Sequence, residues 1–174
     1  MLMILEELFE SEEKPPGTYA AAIFDKDSQK IVADYIRKNE IPNSTKPTKI
    51  HCTIIYSREH IPNFKITKNY DTPLKCVPNG LVVWKTQPDD DGNTKNCLVL
   101  KLKCPEIVKR HEELMQKYPM ATYDYPEFKV HMTLSYDIDD MTKDDFPDFD
   151  EELYLSGEIT SPLDTVWAKK NTKK

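Results

Sequence analysis

Several features that would settle a function class are missing from this chain. Its four cysteines, Cys52, Cys76, Cys97 and Cys104, form no C-x-x-C pair, so the ligand spacing of a structural zinc site is absent. Cys52 and Cys97 fall inside strand patterns and read as small core residues. There is no long basic run, and the net charge is −6. A grip on long DNA or RNA needs many phosphate contacts, so a long nucleic acid is not the expected partner. No apolar run reaches membrane-spanning length. Residues 1–9 are apolar but hold Glu6 and Glu7 and lack a basic start, so no signal peptide is expected. The expected setting is a reducing cytoplasm. Residues 89–93, Asp-Asp-Asp-Gly-Asn, lack the alternating ligands and closing Glu of an EF-hand and read as a turn. No metal or cofactor is expected.

What is present is a repeat. Lys49-Ile50-His51-Cys52-Thr53-Ile54-Ile55-Tyr56 returns as Lys129-Val130-His131-Met132-Thr133-Leu134-Ser135-Tyr136. Lys, His, Thr and Tyr recur in place, and an aliphatic residue precedes each His. Both copies are rich in β-branched and aromatic residues and alternate with period two, so both read as strands. Alternation puts Ile50, Cys52, Ile54 and Tyr56 on one face of the first, with Lys49, His51 and Thr53 on the other. On the second, Val130, Met132, Leu134 and Tyr136 form the apolar face and Lys129, His131, Thr133 and Ser135 the polar one. Two such strands side by side would floor a pocket with two imidazoles and two hydroxyls.

That set suits a phosphodiester. A neutral His can take a proton from an attacking hydroxyl, and a protonated one can give a proton to the departing oxygen. Two Thr hydroxyls can donate to the non-bridging oxygens as charge builds there. His51, Thr53, His131 and Thr133 are therefore the candidate catalytic residues. Lys49 and Lys129 either meet phosphate or sit at the strand ends.

The rest of the chain reads as alternating strands and helices. Residues 18–24 form a strand with Tyr19, Ala21 and Ile23 on one face. Asp25 or Asp27 can cap the next helix, whose apolar side is Ile31, Val32, Tyr35 and Ile36 and which stops near Asn39. Residues 57–71 look irregular. Residues 74–77 and 81–86 read as two strands joined by a tight turn at Pro78-Asn79-Gly80. Residues 97–103 set Leu98, Leu100 and Leu102 against Cys97, Val99, Lys101 and Lys103. Pro105 suits a first helical turn, and Ile107, Val108, His111, Leu114 and Met115 line one side of a second helix that Pro119 ends. His111 reads as an ordinary boundary residue, and His60 is assigned no role. The acid-crowded residues 137–152 read as a solvated linker or short helix. Residues 153–160 and 164–168 read as the last strands, residues 1–13 as a short helix and residues 169–174 as a frayed tail. Together these give one domain, 1–174, of class α+β. Two pseudo-symmetric lobes are expected, with two antiparallel sheets facing a central cleft and helices on the outside.

The paired H-x-T motifs resemble those of the 2H phosphoesterase superfamily, and His51/Thr53 and His131/Thr133 match that pattern residue by residue. Within it, the length, the acidic balance and the late Trp-containing segment most resemble the phage anti-CBASS proteins, which degrade the cyclic oligonucleotides of bacterial antiviral signalling. The resemblance implies the same bilobal fold. It also implies a metal-independent phosphodiesterase that cleaves 3′–5′ bonds of an adenine-containing cyclic di- or trinucleotide, in the host bacterial cytoplasm if the chain is phage-encoded. It further implies an aromatic sandwich around adenine, for which Tyr19 and Trp84 are the matches. A late acidic residue that reads the base edge is matched by Glu158, and Trp167 is a further candidate wall. Two alternatives stay open: 2′,3′-cyclic phosphodiesterase or ligase-type processing of RNA ends, and a binder that sequesters cyclic nucleotides without cutting them.

Overall fold

The computed structural model describes residues 17–64, 66 and 68–162. The expected helix at 1–13, strand at 164–168 and tail at 169–174, together with Trp167, lie outside them. The elements are β1 (Thr18–Phe24), α1 (Lys26–Lys38), β2 (His51–Ser57), β3 (Lys68–Lys85), β4 (Asn96–Lys103), α2 (Pro105–Lys117), β5 (His131–Ser135) and β6 (Leu153–Pro162). Local chemistry accounts for the helix ends. The Asp25 side chain accepts the Ser28 N–H at 2.8 Å and opens α1, which satisfies one of the donors a helix start leaves unpaired. Asn39 closes it by donating to the Tyr35 carbonyl at 2.8 Å. Pro105 opens α2, where a missing N–H costs nothing.

The six strands form one antiparallel sheet in the order β2-β1-β6-β3-β4-β5. This corrects the expectation of two sheets only in part: two ladders, β2-β1-β6-β3 and β3-β4-β5, are joined through the long β3, whose first half pairs with β6 and whose second half pairs with β4. The mixed α/β composition stands. It also corrects the expected hairpin at Pro78-Asn79-Gly80. Residues 74–77 and 81–85 belong to one long strand, and they meet different partners instead of each other. Residues 74–76 pair with β6, while β4 takes the chain from Val77 onward. Asn79 and Gly80 become an irregularity in the β3–β4 ladder, with Gly80 at φ +97°, a conformation in which Gly has no Cβ to clash. Residues 68–71, expected to be irregular, are the start of the same strand.

The order has an internal symmetry. Each end of the sheet carries a motif strand (β2 or β5), flanked by the strand that leads into a helix (β1 into α1, β4 into α2). The two end strands nonetheless lie against one another, so the ladder curls round until its edges meet. One face of the sheet is the core. Ala20, Ala22, Phe24, Cys52, Ile54, Leu98, Leu100, Met132 and Leu134 pack there with Val32 and Ile36 of α1 and Ile107 and Leu114 of α2. Both helices therefore cover the face away from the histidines. The acidic segment 137–152 is tied down by three buried side chains, Ile138, Phe146 and Phe149, and by a 3-10 turn capped through Thr142 and Asp145. Residues 89–93 form the expected turn, in which the Asp89 carboxylate accepts the N–H groups of Asp91 and Asn93, each at 2.9 Å.

Candidate active site

Both motif strands break their alternation at the same place. On β2, Thr53 pairs with Ala21 and Ile55 with Ala20, which leaves Ile54 as an extra residue. On β5, Thr133 pairs with Val99 and Ser135 with Leu98, which leaves Leu134 extra. A bulge adds one residue and shifts every later side chain to the other face. Two corrections follow. Ser135, expected beside His131, is fully buried and donates to the Pro42 carbonyl. Tyr56 and Tyr136, expected on the core face, are turned towards the histidine side. Tyr56 pairs across to Tyr19, with the two rings edge-on at 6.3 Å. Tyr136 lies close enough to Tyr19 for that neighbour to add to the effect of burial in raising its phenol.

The histidines are held in matching ways. His51 Nδ1 lies 2.7 Å from the Lys49 carbonyl, and His131 Nδ1 lies 2.8 Å from the Lys129 carbonyl. A carbonyl only accepts, so each Nδ1 carries the proton and each Nε2 is the working nitrogen. The same bond explains the repeated spacing, since it spans two residues back along the strand. Lys49 and Lys129 thus act on the imidazoles through their backbones. Burial lowers the proton affinity of both rings below the ordinary histidine range, and the carbonyl bonds oppose it. A charge on His131 lowers His51 further, so the two rings, 80 residues apart in sequence, share one electrostatic environment.

Other predicted residues gather at this pair. The Tyr19 hydroxyl lies 3.1 Å from Thr53 Oγ1, and its ring meets His51 edge-on with centroids 5.9 Å apart. Burial pushes the Tyr19 phenol well up, so it stays protonated. Trp84 meets His131 with centroids 4.7 Å apart. Tyr19, Thr53 and His51 share a face through the β1–β2 register, and Thr133 and His131 share one through β4. Among the described residues, no group of three or more His, Cys, Asp or Glu side chains is arranged to hold a metal ion.

Glu158 is placed elsewhere. It pairs with Ala22, on the face opposite His51, and is 2% exposed. Arg110 of α2 donates to both its oxygens at 3.1 and 3.2 Å, and the Tyr70 hydroxyl donates at 2.7 Å. Its carboxylate is thereby committed to a buried ion pair between sheet and helix. The alternation of β6 did not reveal this, because the partners come from residues far away in the chain. Next to it, Gly157 allows a close strand approach: a Cβ there would collide with the Lys68 carbonyl.

Sequence reasoning missed Tyr56 and Tyr136, although both close the repeat, because simple period-two alternation assigns them to the wrong face. It also read His111 as an ordinary boundary residue, whereas His111 is 7% exposed and its Nδ1 lies 2.7 Å from the Ile54 carbonyl.

Known proteins resemble this chain along most of its length. The family described as Anti-CBASS protein Acb1 matches residues 16–170. The Anti-CBASS protein Acb1 of Vibrio phage KVP40 is 33% identical over 169 residues, covering 97% of this chain and 99% of its own. Its namesake from Enterobacteria phage T4 is 30% identical over 161 residues, covering 92% and 97%. Among solved structures, TT0787 of Thermus thermophilus superposes with a TM-score of 0.53 at 12% identity, over 84% of this chain and 94% of that one. That last likeness is one of fold alone.

Proposed function

Because this chain belongs to the Anti-CBASS protein Acb1 family, we propose that it is a phosphodiesterase that cleaves 3′–5′ bonds of cyclic di- and oligonucleotides such as 3′,3′-cyclic GMP–AMP. It would thereby counter CBASS signalling in the cytoplasm of an infected bacterium. The observation that carries this reading is the matched pair of imidazoles, each with Nδ1–H tied to a carbonyl, which makes Nε2 the nitrogen that can transfer a proton.

One Nε2 takes the proton of a ribose 2′-hydroxyl, and the 2′-oxygen attacks the adjacent phosphorus. The bond to the 5′-oxygen breaks, and that oxygen leaves with the proton held on the other Nε2. The product carries a 2′,3′-cyclic phosphate, which water can open with the two roles exchanged. Thr53 and Thr133 donate to the non-bridging oxygens as their charge grows. Both proton transfers and the charge stabilisation come from side chains, so the reaction is written without a metal. Tyr19 and Trp84 flank the pair and suit stacking on adenine, a contact worth about 1–3 kcal/mol per base. Trp167 is retained as a further wall of the base site. Glu158 is not, since Arg110 and Tyr70 occupy its carboxylate.

The test is a panel of cyclic di- and trinucleotides incubated with chelator-treated protein, with the products identified by mass. Linear products ending in a cyclic phosphate are expected, and a 2′-deoxy substrate should resist cleavage. Intact ligand recovered from a tight complex would replace this reading with sequestration. Turnover confined to cyclic-phosphate-ended RNA would replace it with end processing.

A further inference from the structure

The two matched bulges are fastened by unlike groups. A bulge residue has backbone groups that the ladder leaves unpaired, and inside a protein these must find partners. At Leu134 the carbonyl accepts the backbone N–H of Thr45 at 2.9 Å, while the Thr45 hydroxyl donates to the preceding carbonyl, of Thr133, at 2.8 Å. At Ile54, whose side chain is fully buried, the carbonyl accepts from His111 Nδ1 at 2.7 Å. The imidazole is itself fixed in plane. It stacks on Phe128 with centroids 3.9 Å apart and planes 4° apart, and Tyr123 closes its side at 5.1 Å. Phe128 lies three residues before His131. One ring therefore links the bulge of the first motif to the chain that leads into the second.

We infer that His111 is a positioning residue: its Nδ1–H holds the Ile54 bulge and so sets the aim of Thr53 and Tyr56 on either side. In that role it touches no substrate. The bond must come from the Nδ1–H tautomer, since a carbonyl cannot donate. Its effect on rate rests on the phosphodiesterase reading above, whereas its effect on strand β2 does not. Loss of the donor would leave a buried carbonyl unpaired and free the bulge to close or slide, moving the hydroxyl that faces the phosphate.

Two substitutions separate this role from plain packing. His111→Phe keeps a ring against Phe128 and removes the donor. His111→Asn removes the ring and keeps an N–H near the place of Nδ1. With 3′,3′-cyclic GMP–AMP as probe, H111F should lower kcat by about 10- to 100-fold at nearly unchanged KM, the scale on which a misplacement of about 1 Å acts. H111N should keep kcat within a few-fold although it melts at the lower temperature. Rates that follow the melting temperatures would overturn the proposal. If the wild-type protein cleaves neither this probe nor any other member of the cyclic di- and trinucleotide panel, the phosphodiesterase reading fails, and the inference is judged on amide hydrogen exchange. H111F should then speed exchange across residues 53–56 and leave 133–136 unchanged, while H111N should leave both segments as in the wild type; equal exchange in both variants overturns it. Should neither variant fold, nitrogen-15 spectra of the wild-type imidazoles decide. His111 must be protonated at Nδ1, and the other tautomer overturns the assignment.

Discussion

Strands β2 and β5 share a Lys-x-His-x-Thr-x-x-Tyr pattern, a bulge one residue after the Thr, and a bond from each Nδ1 to the carbonyl of the Lys two residues before. Outside those features they diverge. Thr53 is in contact with the Tyr19 hydroxyl. Thr133 has its own carbonyl held by Thr45 from the loop ahead of β2. A tyrosine stands edge-on to the first histidine and a tryptophan to the second. On the proposed mechanism, the repeated part is the part that proton transfer needs at each side of a phosphorus, and the unlike part surrounds it. An asymmetric ligand such as a mixed cyclic dinucleotide would be sorted by those surroundings.

The comparison can be broken most directly at the imidazoles. H51A and H131A should each lower kcat by about 10²–10⁴-fold, and the double variant should be little worse than either, because groups acting as a unit do not contribute additively. A gap of several orders between the two single variants would show that only one side is catalytic. Next come the hydroxyls. T53A and T133A should each cost about 10²–10³-fold in kcat if they act as oxyanion donors, measured on the same cyclic dinucleotide. An effect on T53A alone would assign the phosphate to the first half of the site.

Stability changes sharpen the picture from outside the pair. Removing Glu158 strands the Arg110 guanidinium in a partly buried position, so E158A should lose about 2–3 kcal/mol in denaturant unfolding, at or below the low end for a fully buried pair, with KM for the cyclic dinucleotide unmoved. A large rise in KM at full stability would restore Glu158 to the base site. The smallest effect is that of pH. Both histidines are held below their ordinary pKa, which is about 6.5 in an unfolded chain. Below that value the unfolded chain takes up protons that the folded one refuses, so folding stability falls as pH drops from about 6.5 towards the folded pKa values, and is fully present above. The melting temperature should decline over that window in the wild-type protein and decline less in H51A and H131A.

Much of this was legible from the sequence. Strands β1, β4 and β5 and both helices follow from periodicity, the Asp25 cap and Pro105. The four His and Thr residues stand out because the repeat is strong enough to see without structure. The long β3 was not legible, because Asn79-Gly80 carries a local hairpin signal and only the partners of β3, set by tertiary pairing, decide that the chain runs straight on. Nor could alternation find the bulges, since a single inserted residue inverts Tyr56, Ser135 and Tyr136 while leaving the composition unchanged. The surroundings of Glu158 and His111 were hidden for a related reason. Each is defined by a bond to a residue 48 or 57 positions away.

That β2 and β5 are the two outermost members of a six-strand order, yet touch, has a consequence for how the protein comes into being. Neither pairs with the other in the ladder; residues 42–45, which lead into β2, fasten them instead, with Thr45 bonded to the Thr133 and Leu134 carbonyls and Ser135 to the Pro42 carbonyl. Long-range pairings of this kind form late. On the proposed mechanism, competence requires both end strands in place, so a copy lacking either one should be inert.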